Sequence, residues 1–292
     1  MSADTCWCDL LDGPDPLLLP CAHDALSARL IARAGFKAYS IGGFPLVGAR
    51  HALPDVGLVG LGEMAAGMRD VMAASPLPVL VDGDDGYGDA KNVARTVRTY
   101  EAMGAAAIFI EDQVAPKRCG HMAGKDVVPA AVMEEKLRAA AAARERGIFL
   151  IARTDARAIH GLDEALRRGE RYLKAGADGI FIEAPESLDE MRAVGRAFQG
   201  VPQLANMLEG GRTPLIEPRE LKAMGFAMIA YPTTLIFRVA RTIEKALADL
   251  AAGRLSLDGE GVDFSAFKAI VGFDEWAKWE AMAASQGLQS EF

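Results

Sequence analysis

The sequence predicts an α/β protein folded as a closed (β/α)₈ barrel, on three observations. Eight short apolar runs alternate with longer amphipathic stretches in one continuous series. Several amphipathic stretches end in glycine, and several apolar runs end in charged or amide side chains. A length of 292 residues suits one such barrel, so we expect a single domain over residues 1–292 with a C-terminal helical extension from about residue 234.

The eight apolar runs are each short enough to be a buried parallel strand. They cover residues 17–20, 38–41, 79–81, 107–110, 149–152, 179–182, 203–205 and 228–230. Helical spacing is found over residues 25–34, 92–103, 131–146, 162–175, 188–198 and 218–224. Left-handed helix ends are expected at Gly35, Gly104, Gly147, Gly176 and Gly225. An open, doubly wound sheet is the alternative, but no G-x-G-x-x-G motif follows the first run, so a dinucleotide site is unsupported.

The segment after the eighth run is predicted to be helical and to carry exposed aromatics. A long helix is expected over residues 234–250, followed by a glycine-containing break over residues 253–261. The tail then contains Phe264, Phe267, Trp276 and Trp279. Aromatic side chains favour burial, so this tail should pack either against the barrel or against another subunit.

Composition and charge exclude several classes of protein. Hydrophobic residues make up 51% and charged residues 25%, the balance of a globular protein with a sizeable core. A net charge of −8 argues against a nucleic-acid-binding surface, which needs a basic face. No apolar run reaches the roughly 18 residues of a membrane helix, and no basic segment opens a signal peptide. We therefore expect a cytoplasmic protein that binds neither nucleic acid nor membrane.

Cysteine usage points to a single residue of interest. Four cysteines in a chain of this length do not make a disulfide framework. Cys6 and Cys8 form an isolated C-x-C without a second metal-spaced pair, which disfavours a zinc site. Cys21 lies beside an apolar run and is predicted to be a small core residue. Only Cys119 has neighbours that suggest chemistry.

Polar residues follow five successive apolar runs, at the end of the barrel where active sites form. In chain order they are Asp82 and Asp84, Glu111, Arg153, Glu183 and Asn206. One interpretation is a purely structural network between the carboxylates and Arg153. The other is a metal site, because Asp82, Asp84 and Glu111 outnumber the one cation, and converging anions are costly without a further positive charge. Oxygen ligands favour Mg²⁺, with Mn²⁺ as the substitute.

The segment after the fourth run surrounds a cysteine with charge. Lys117 and Arg118 precede Cys119, and Gly120 and His121 follow it. Positive neighbours lower the pKa of a thiol and prepare it for proton transfer. We therefore predict a reactive Cys119 on a mobile lid over the barrel mouth. A free surface cysteine in a basic loop is the alternative interpretation.

Taken together, these motifs resemble the isocitrate lyase/phosphoenolpyruvate mutase superfamily over nearly the whole chain. The segments that carry the resemblance are residues 24–26, 34–36, 53–55, 82–88, 110–113, 117–121, 152–155, 183–184 and 206–214. Each segment falls at the matching position of the predicted barrel, so the combined signal is specific.

The resemblance implies an assembly, a metal site and a set of site residues. It implies a last helix exchanged between subunits, in a homotetramer built as a dimer of dimers. It implies that Asp84 binds Mg²⁺ directly, that Asp82 and Glu111 act largely through water, and that Cys119 protonates an enolate after carbon–carbon cleavage. The residues expected to contact a small carboxylate substrate are Gly43, Phe44, Asp55, Gly120, Arg153, Glu183, Asn206, Gly210, Gly211 and Thr213. The expected catalytic group is Cys119, Arg153, Lys117, Arg118, His121 and Tyr39, with Tyr39 as a candidate base.

The cysteine-containing signature resembles the lyase branch of the superfamily. Such enzymes cleave 2-hydroxy acids such as 2-methylisocitrate or 2,3-dimethylmalate to a 2-oxo acid such as pyruvate and a second carboxylate. Rival activities on the same scaffold are an oxaloacetate hydrolase or decarboxylase and a phosphonopyruvate mutase or hydrolase. A degenerate barrel that only binds a partner is the alternative outside enzymology. Two residues depart from the family. Counted back from Asp55, Gly42 stands where serine is usual, whereas a small shift in loop length would instead keep Tyr39 or Ser40 in place. Asp85 stands where threonine or isoleucine is usual.

Overall fold

The computed structural model describes residues 6–122, 124–254 and 259–287, and within these ranges it contains eight β-strands. The strands are β1 (Leu17–Pro20), β2 (Tyr39–Ile41), β3 (Val79–Asp82), β4 (Ala107–Glu111), β5 (Phe149–Thr154), β6 (Gly179–Ile182), β7 (Leu204–Asn206) and β8 (Met228–Tyr231). Each of the eight predicted runs therefore corresponds to a strand, and the predicted and observed ends differ by at most two residues.

Helices separate the strands and continue after the last one. They are α1 (Ala25–Arg33), α2 (Gly43–His51), α3 (Leu61–Met72), α4 (Ala90–Ala102), α5 (Ala130–Ala143), α6 (Arg157–His160), α7 (Leu162–Lys174), α8 (Leu188–Ala197), α9 (Pro218–Met224), α10 (Thr234–Ala251), α11 (Phe264–Ile270) and α12 (Phe273–Gly287). A short 3₁₀ helix, Cys8–Leu10, precedes the first strand.

The strands form a closed parallel ring. Five of them pair in the order β2-β3-β4-β5-β6, and the other three in the order β1-β8-β7. Isolated parallel bridges join the two sets, between Cys21 and Ser40 on one side and between Ile180 and Gln203 on the other. Because every strand thus has a neighbour on both sides, the predicted (β/α)₈ barrel is confirmed.

Two apolar layers surround the strands, because successive side chains point to opposite faces. One layer fills the inside of the ring and includes Leu19, Leu80 and Phe181. The other packs between strands and helices and includes Ile41 and Ile110. A barrel whose interior is packed in this way binds ligands at the end of the ring and not through its centre.

Helix boundaries follow local signals in the sequence. Asp24 opens α1, since its Oδ1 accepts from the Ser27 N–H at 2.7 Å while the Ser27 hydroxyl oxygen accepts from the Asp24 N–H at 3.1 Å. The five glycines predicted to close helices all have positive φ, from 82° at Gly35 to 110° at Gly225.

Glu101 ties the end of α4 to the turn before β5. Its carboxylate accepts from the N–H groups of Glu145, Arg146 and Ile148 at 2.7, 2.8 and 3.0 Å. Burial alone would raise the pKa of Glu101, but these donors outweigh it and lower the pKa below its ordinary 4.5.

Glu101→Gln should therefore lower the free energy of unfolding at pH 7 by about 1 to 3 kcal/mol, because an amide NH₂ cannot accept from one of the three donors. The depressed pKa means that the carboxylate stabilises the fold fully above its unfolded pKa, and that this contribution is lost as pH falls through the lower folded pKa. Urea unfolding of both proteins at pH 7 and pH 4 checks this. We expect the difference in free energy of unfolding between the two proteins to be smaller at pH 4 than at pH 7, so a larger difference at pH 4 would contradict the prediction.

The chain divides into two compact units, Met1–Arg238 and Val239–Phe292. The second unit holds the remainder of α10 together with α11 and α12, and the predicted helix over residues 234–250 agrees with α10. Residues 255–258 of the predicted break lie outside the described residues. In the single chain, Phe264, Trp276 and Trp279 are 82%, 72% and 61% exposed.

Among the described residues, no helix is both long and apolar enough to span a membrane.

Candidate active site

Five neighbouring strands carry two stacked layers of interior side chains at their carboxyl ends. On each strand an apolar interior residue is followed two positions later by a polar one on the same face. The pairs are Leu80 and Asp82, Phe109 and Glu111, Ile151 and Arg153, Phe181 and Glu183, and Leu204 and Asn206. The five polar residues line one cavity together with Cys119. The barrel thus brings the predicted strand-end residues to a single mouth.

Arg153 occupies the centre of this polar layer. Its guanidinium lies 3.2 Å from Glu111, 3.0 Å from Asp155 and 3.9 Å from Glu183. It also stacks over Phe109 and Phe181, with 5.8 and 5.2 Å to the ring centroids. Burial by itself would lower the pKa of Arg153, but the three carboxylates outweigh burial and raise it well above its ordinary value. The cation is therefore fixed in place before any ligand binds.

Asp82 is held by backbone donors on both oxygens. Oδ1 accepts from the Asp84 N–H and Oδ2 from the Gly43 N–H, each at 2.9 Å. The second donor belongs to the first turn of α2, so this helix N-terminus faces the cavity. Burial, followed by the charge of Asp84, raises the pKa of Asp82 to about 6.

Lys117 lies among the carboxylates of the site. Its Nζ is 2.5 Å from Asp55 and 2.6 Å from Asp84. Burial would lower the pKa of Lys117, yet the surrounding carboxylates, Asp84 first and then Asp82, Glu111 and Asp55, raise it well above its usual value. The ammonium group therefore stays charged and neutralises part of the negative charge.

The oxygen atoms of the site fit a divalent cation. Glu111 is only 1% exposed, and its Oε1 has no hydrogen-bond partner among the described residues. Asp84, the predicted direct ligand, does not line this cavity: it lies in the turn after β3 with a positive φ of 48°, and its carboxylate is 2.6 Å from Lys117 Nζ. Within the described residues, no three His, Cys, Asp or Glu side chains lie close enough together to hold a metal alone. An all-oxygen set of this kind suits Mg²⁺, which keeps several of its waters.

Asp85, one of the two departures from the family, points away from the cavity. Its Oδ1 accepts from the Tyr87 N–H at 2.9 Å. Lys136 on α5 donates to the Asp85 carbonyl oxygen at 2.8 Å and lies 3.7 Å from its carboxylate. The charge of Asp85 is thus balanced by a buried lysine that the sequence pattern did not identify, because Lys136 lies in an Ala-rich helix.

The loop after β4 folds over the cavity. The Gln113 amide clamps both backbone groups of Arg118, at 2.8 and 2.9 Å. The Cys119 N–H donates to the Asp55 carbonyl oxygen at 3.1 Å, and Lys125 pairs with Asp155 at 2.5 Å. These contacts reach three different parts of the rim and hold the loop closed; residue 123 lies outside the described residues. The pairing of Lys125 with Asp155 was missed from the sequence, because 30 positions separate them.

His121 connects this loop to the segment after β7. Its Nε2 is 3.0 Å from Glu183, and its Nδ1 accepts from the Arg212 N–H at 3.0 Å. Burial would raise the pKa of Glu183, but Arg153 and then His121 outweigh it and lower the pKa to about 2. Glu183 is therefore an anion that orients the guanidinium of Arg153 and the imidazole of His121.

Cys119 lies at the cavity, but the expected lowering of its thiol pKa is wrong. Burial, the largest effect, and the carboxylates of Asp55 and Glu183 raise the pKa to about 11, although a backbone N–H and Arg153 act in the opposite direction. The neighbouring Lys117 cannot lower it effectively, because its charge is paired with carboxylates. A thiol that stays protonated at neutral pH is a proton donor rather than a nucleophile.

Gly120 is the point of closest approach between the loop and the polar layer. A methyl group on its Cα would collide with Arg153 Nη2 and Glu183 Oε1. Gly120→Ala should therefore prevent full closure and lower kcat/KM by about 10²-fold, the cost of a displacement near 1 Å in a catalytic site. Steady-state kinetics check this against Gly62→Ala, since a methyl at Gly62 on α3 meets open space. Equal activity of both variants would show that the closed loop is not needed.

Some predicted site residues are not brought to the cavity. Tyr39 is a correction: its side chain lies in the layer between strands and helices, so it cannot serve as the base at the mouth. Its neighbour Ser40 does face the cavity. The loop residues Gly210, Gly211 and Thr213 do not line it either, although Gly211 packs against His121. The remaining residues predicted for substrate contact or catalysis all line the cavity, namely Gly43, Phe44, Asp55, Lys117, Arg118, Cys119, Gly120, His121, Arg153, Glu183 and Asn206.

Comparison of the sequence with known proteins identifies relatives along almost its whole length. The family model described as phosphoenolpyruvate phosphomutase matches residues 8–251. The "Petal death protein" of Dianthus caryophyllus is 43% identical over 280 residues, which cover 93% of this chain and 86% of that protein. The "2,3-dimethylmalate lyase" of Eubacterium barkeri is 42% identical, covering 91% of this chain and 93% of that one.

Solved structures show the same architecture. Oxaloacetate acetylhydrolase in complex with 3,3-difluorooxalacetate superposes with a TM-score of 0.89 at 31% identity, covering 94% of this chain and 95% of the other. Phosphonopyruvate hydrolase in complex with oxalate and Mg²⁺ gives 0.85 at 28% identity, covering 96% and 99%. With a family model over most of its length and relatives above 40% identity, the chain belongs to the phosphoenolpyruvate mutase/isocitrate lyase superfamily of enzymes.

Proposed function

We propose that this protein is a Mg²⁺-dependent carbon–carbon lyase that cleaves a 2-hydroxy di- or tricarboxylate into a 2-oxo acid and a second carboxylate. The observation that carries the proposal is Cys119, a thiol kept protonated above a cavity that contains a fixed arginine. A proton donor in this position is what the carbanionic product of such a cleavage requires.

The residues divide into those that bind and one that transfers a proton. Arg153, Asn206 and the Phe44 N–H in the first turn of α2 are placed to hold substrate carboxylates. Asp84, with Asp82 and Glu111 through water, would hold Mg²⁺, which supplies charge stabilisation to a chelated hydroxy acid or oxo acid when bound. Cys119 then gives its proton to the carbon released by cleavage, and the closed loop excludes water. The base that accepts the hydroxyl proton is unassigned, since Tyr39 is remote.

The names of three relatives in the superfamily bear on the choice of substrate. Identity of 42% to 2,3-dimethylmalate lyase supports an alkylated malate, with 2-methylisocitrate as the second choice in the same reaction class. The TM-score of 0.89 to oxaloacetate acetylhydrolase keeps oxaloacetate cleavage as the rival activity.

A substrate panel tests the proposal. The purified protein is incubated with Mg²⁺ and, separately, 2,3-dimethylmalate, 2-methylisocitrate, citramalate, oxaloacetate and phosphonopyruvate, and 2-oxo acid release is followed. We expect release from one of the 2-hydroxy acids, and its loss with a chelator followed by recovery with added Mg²⁺. Turnover confined to oxaloacetate or to phosphonopyruvate would overturn the lyase assignment in favour of the corresponding rival.

We also propose that the chain acts as a homotetramer in which the C-terminal helices pack against a second subunit. The exposed aromatic side chains of Phe264, Trp276 and Trp279 support this, because apolar surface of this kind is unfavourable in water. Light scattering should give four times the 31.1 kDa of one chain. A monomeric mass at micromolar concentration would contradict the proposal.

A further inference from the structure

The side chains at the carboxyl ends of the strands are polar on one part of the ring and uncharged on the other. From β3 to β7 it consists of the polar side chains described above, which form a charged arc. The other three strands contribute Cys21, Gly42 and Pro232, each two residues after an interior position on β1, β2 and β8. All three line the same cavity. We call Cys21, Gly42 and Pro232 the uncharged arc.

The backbone conformation at Gly42 does not require a glycine. Its φ of −99° and ψ of 155° are ordinary extended values that any residue adopts. The nearest atoms to a Cβ added there would be Pro45 Cδ at 3.4 Å, Cys21 Sγ at 3.5 Å and Pro45 Cγ at 3.7 Å, which is normal contact. At Gly43, by contrast, a Cβ would press on Asp82 and Lys117 at 3.2 and 3.3 Å. The absence of a side chain at Gly42 therefore leaves room at the cavity wall. Neither close contacts nor the backbone angles require a glycine at this position.

Cys21 forms the wall beside this room. Its Sγ accepts from the Gly42 N–H at 3.1 Å, and the residue is only 2% exposed. Burial raises the pKa of the thiol to about 11, so it remains neutral. A neutral thiol is a small, polarisable surface with weak hydrogen bonding, which suits contact with carbon rather than with a carboxylate.

We propose that the uncharged arc receives a small alkyl substituent of the substrate, and that Gly42 and Cys21 determine how large this substituent is. The inference rests on the proposed function in one respect, namely that the substrate's carboxylate and hydroxyl groups lie on the charged arc with Arg153 and Asn206. The substrate class is then a 2-hydroxy dicarboxylate with one or more short alkyl branches, because an unbranched acid would leave the room beside Gly42 unfilled.

Calorimetry with Mg²⁺ and a series of unreactive 2-oxo acids tests the inference independently of turnover. The series is pyruvate, 2-oxobutyrate and 2-oxovalerate, which differ only in alkyl length. Gly42→Ala should weaken the binding of 2-oxobutyrate by about tenfold relative to the binding of pyruvate, which is the discrimination that one methylene gives in an apolar pocket. Gly48→Ala on α2 is the matched control, since a methyl there meets open space, and it should leave the series unchanged. Equal weakening of all three acids by Gly42→Ala would overturn the proposal.

Cys21→Ala is the complementary variant, because it enlarges the same wall. Cys21→Ala should strengthen the binding of 2-oxovalerate relative to that of 2-oxobutyrate by a few-fold. This change favours the longer alkyl chain, whereas Gly42→Ala favours the shorter one. An unchanged ratio would remove Cys21 from the proposal. If the 2-oxo acid ratios shift as expected but no 2-hydroxy acid is cleaved in the substrate panel, the lyase assignment fails while the alkyl-binding arc stands. If cleavage occurs but the ratios do not shift, only the arc fails.

Discussion

Replacing Cys119 by alanine should lower cleavage of the 2-hydroxy acid by about 10²- to 10⁴-fold, the contribution of a positioned general acid. In the proposed reaction the thiol is the proton donor, and its raised pKa of about 11 keeps it protonated at neutral pH. Arg153, Asn206 and the carboxylates remain in place in the variant, so a 2-oxo acid should bind with Mg²⁺ as in the wild type. Turnover by steady-state kinetics and binding by calorimetry separate the two effects.

The matched control for this variant is Cys8→Ala, which removes an exposed cysteine outside the cavity. It should leave both turnover and binding unchanged. Undiminished turnover in Cys119→Ala would exclude the residue as the acid. A parallel loss of 2-oxo acid binding would instead indicate that the thiol shapes the cavity.

Arg153→Lys should reduce kcat/KM by about 10²- to 10³-fold, comparable to the loss of one preorganised donor to a developing anion. A lysine keeps the charge but cannot lie 3.2 Å from Glu111 and 3.0 Å from Asp155 together while also lying over the rings of Phe109 and Phe181. Since buried carboxylates then lose a partner, we also expect the free energy of unfolding to fall by up to about 3 to 5 kcal/mol.

Arg157→Lys provides the control for Arg153→Lys. Arg157 also makes a forked pair, with Glu190 at 2.9 and 2.7 Å, but it lies on α6 away from the cavity. Its replacement should cost no more than about 1 kcal/mol and leave kcat/KM intact, because this pair is partly exposed. If both lysine variants retained wild-type activity, a fixed guanidinium would not be needed for the reaction.

The strands and the strand-end residues were predictable because they follow from alternation along short buried runs. The predicted run at residues 149–152 is two residues short, since β5 continues through Arg153 and Thr154, whose polarity hides the strand. α2 was not identified, because Gly43, Pro45 and Gly48 have low helix propensity. Local composition cannot show that a helix start is stabilised by its position at the barrel mouth.

Side-chain direction and pairing were the parts that the sequence did not determine. Tyr39 was misplaced because a shift of one residue along a strand moves a side chain from the interior to the helix layer. The thiol pKa of Cys119 was misjudged because sequence neighbours such as Lys117 are paired with Asp55 and Asp84, which are distant in sequence. Burial and long-range pairing both depend on the folded ring.

The two stacked layers inside the barrel divide packing from polar chemistry along each strand. The lower layer, from Leu80 to Leu204, is apolar, packs the inside of the ring and forms the floor of the cavity, whereas the upper layer, from Asp82 to Asn206, supplies the polar groups that line it. A substitution in the upper layer can alter which bond is broken without removing the packing below it. Such a division makes the scaffold easy to diversify, one strand at a time. It accounts in physical terms for relatives of nearly the same backbone that carry the names of lyases, mutases and hydrolases.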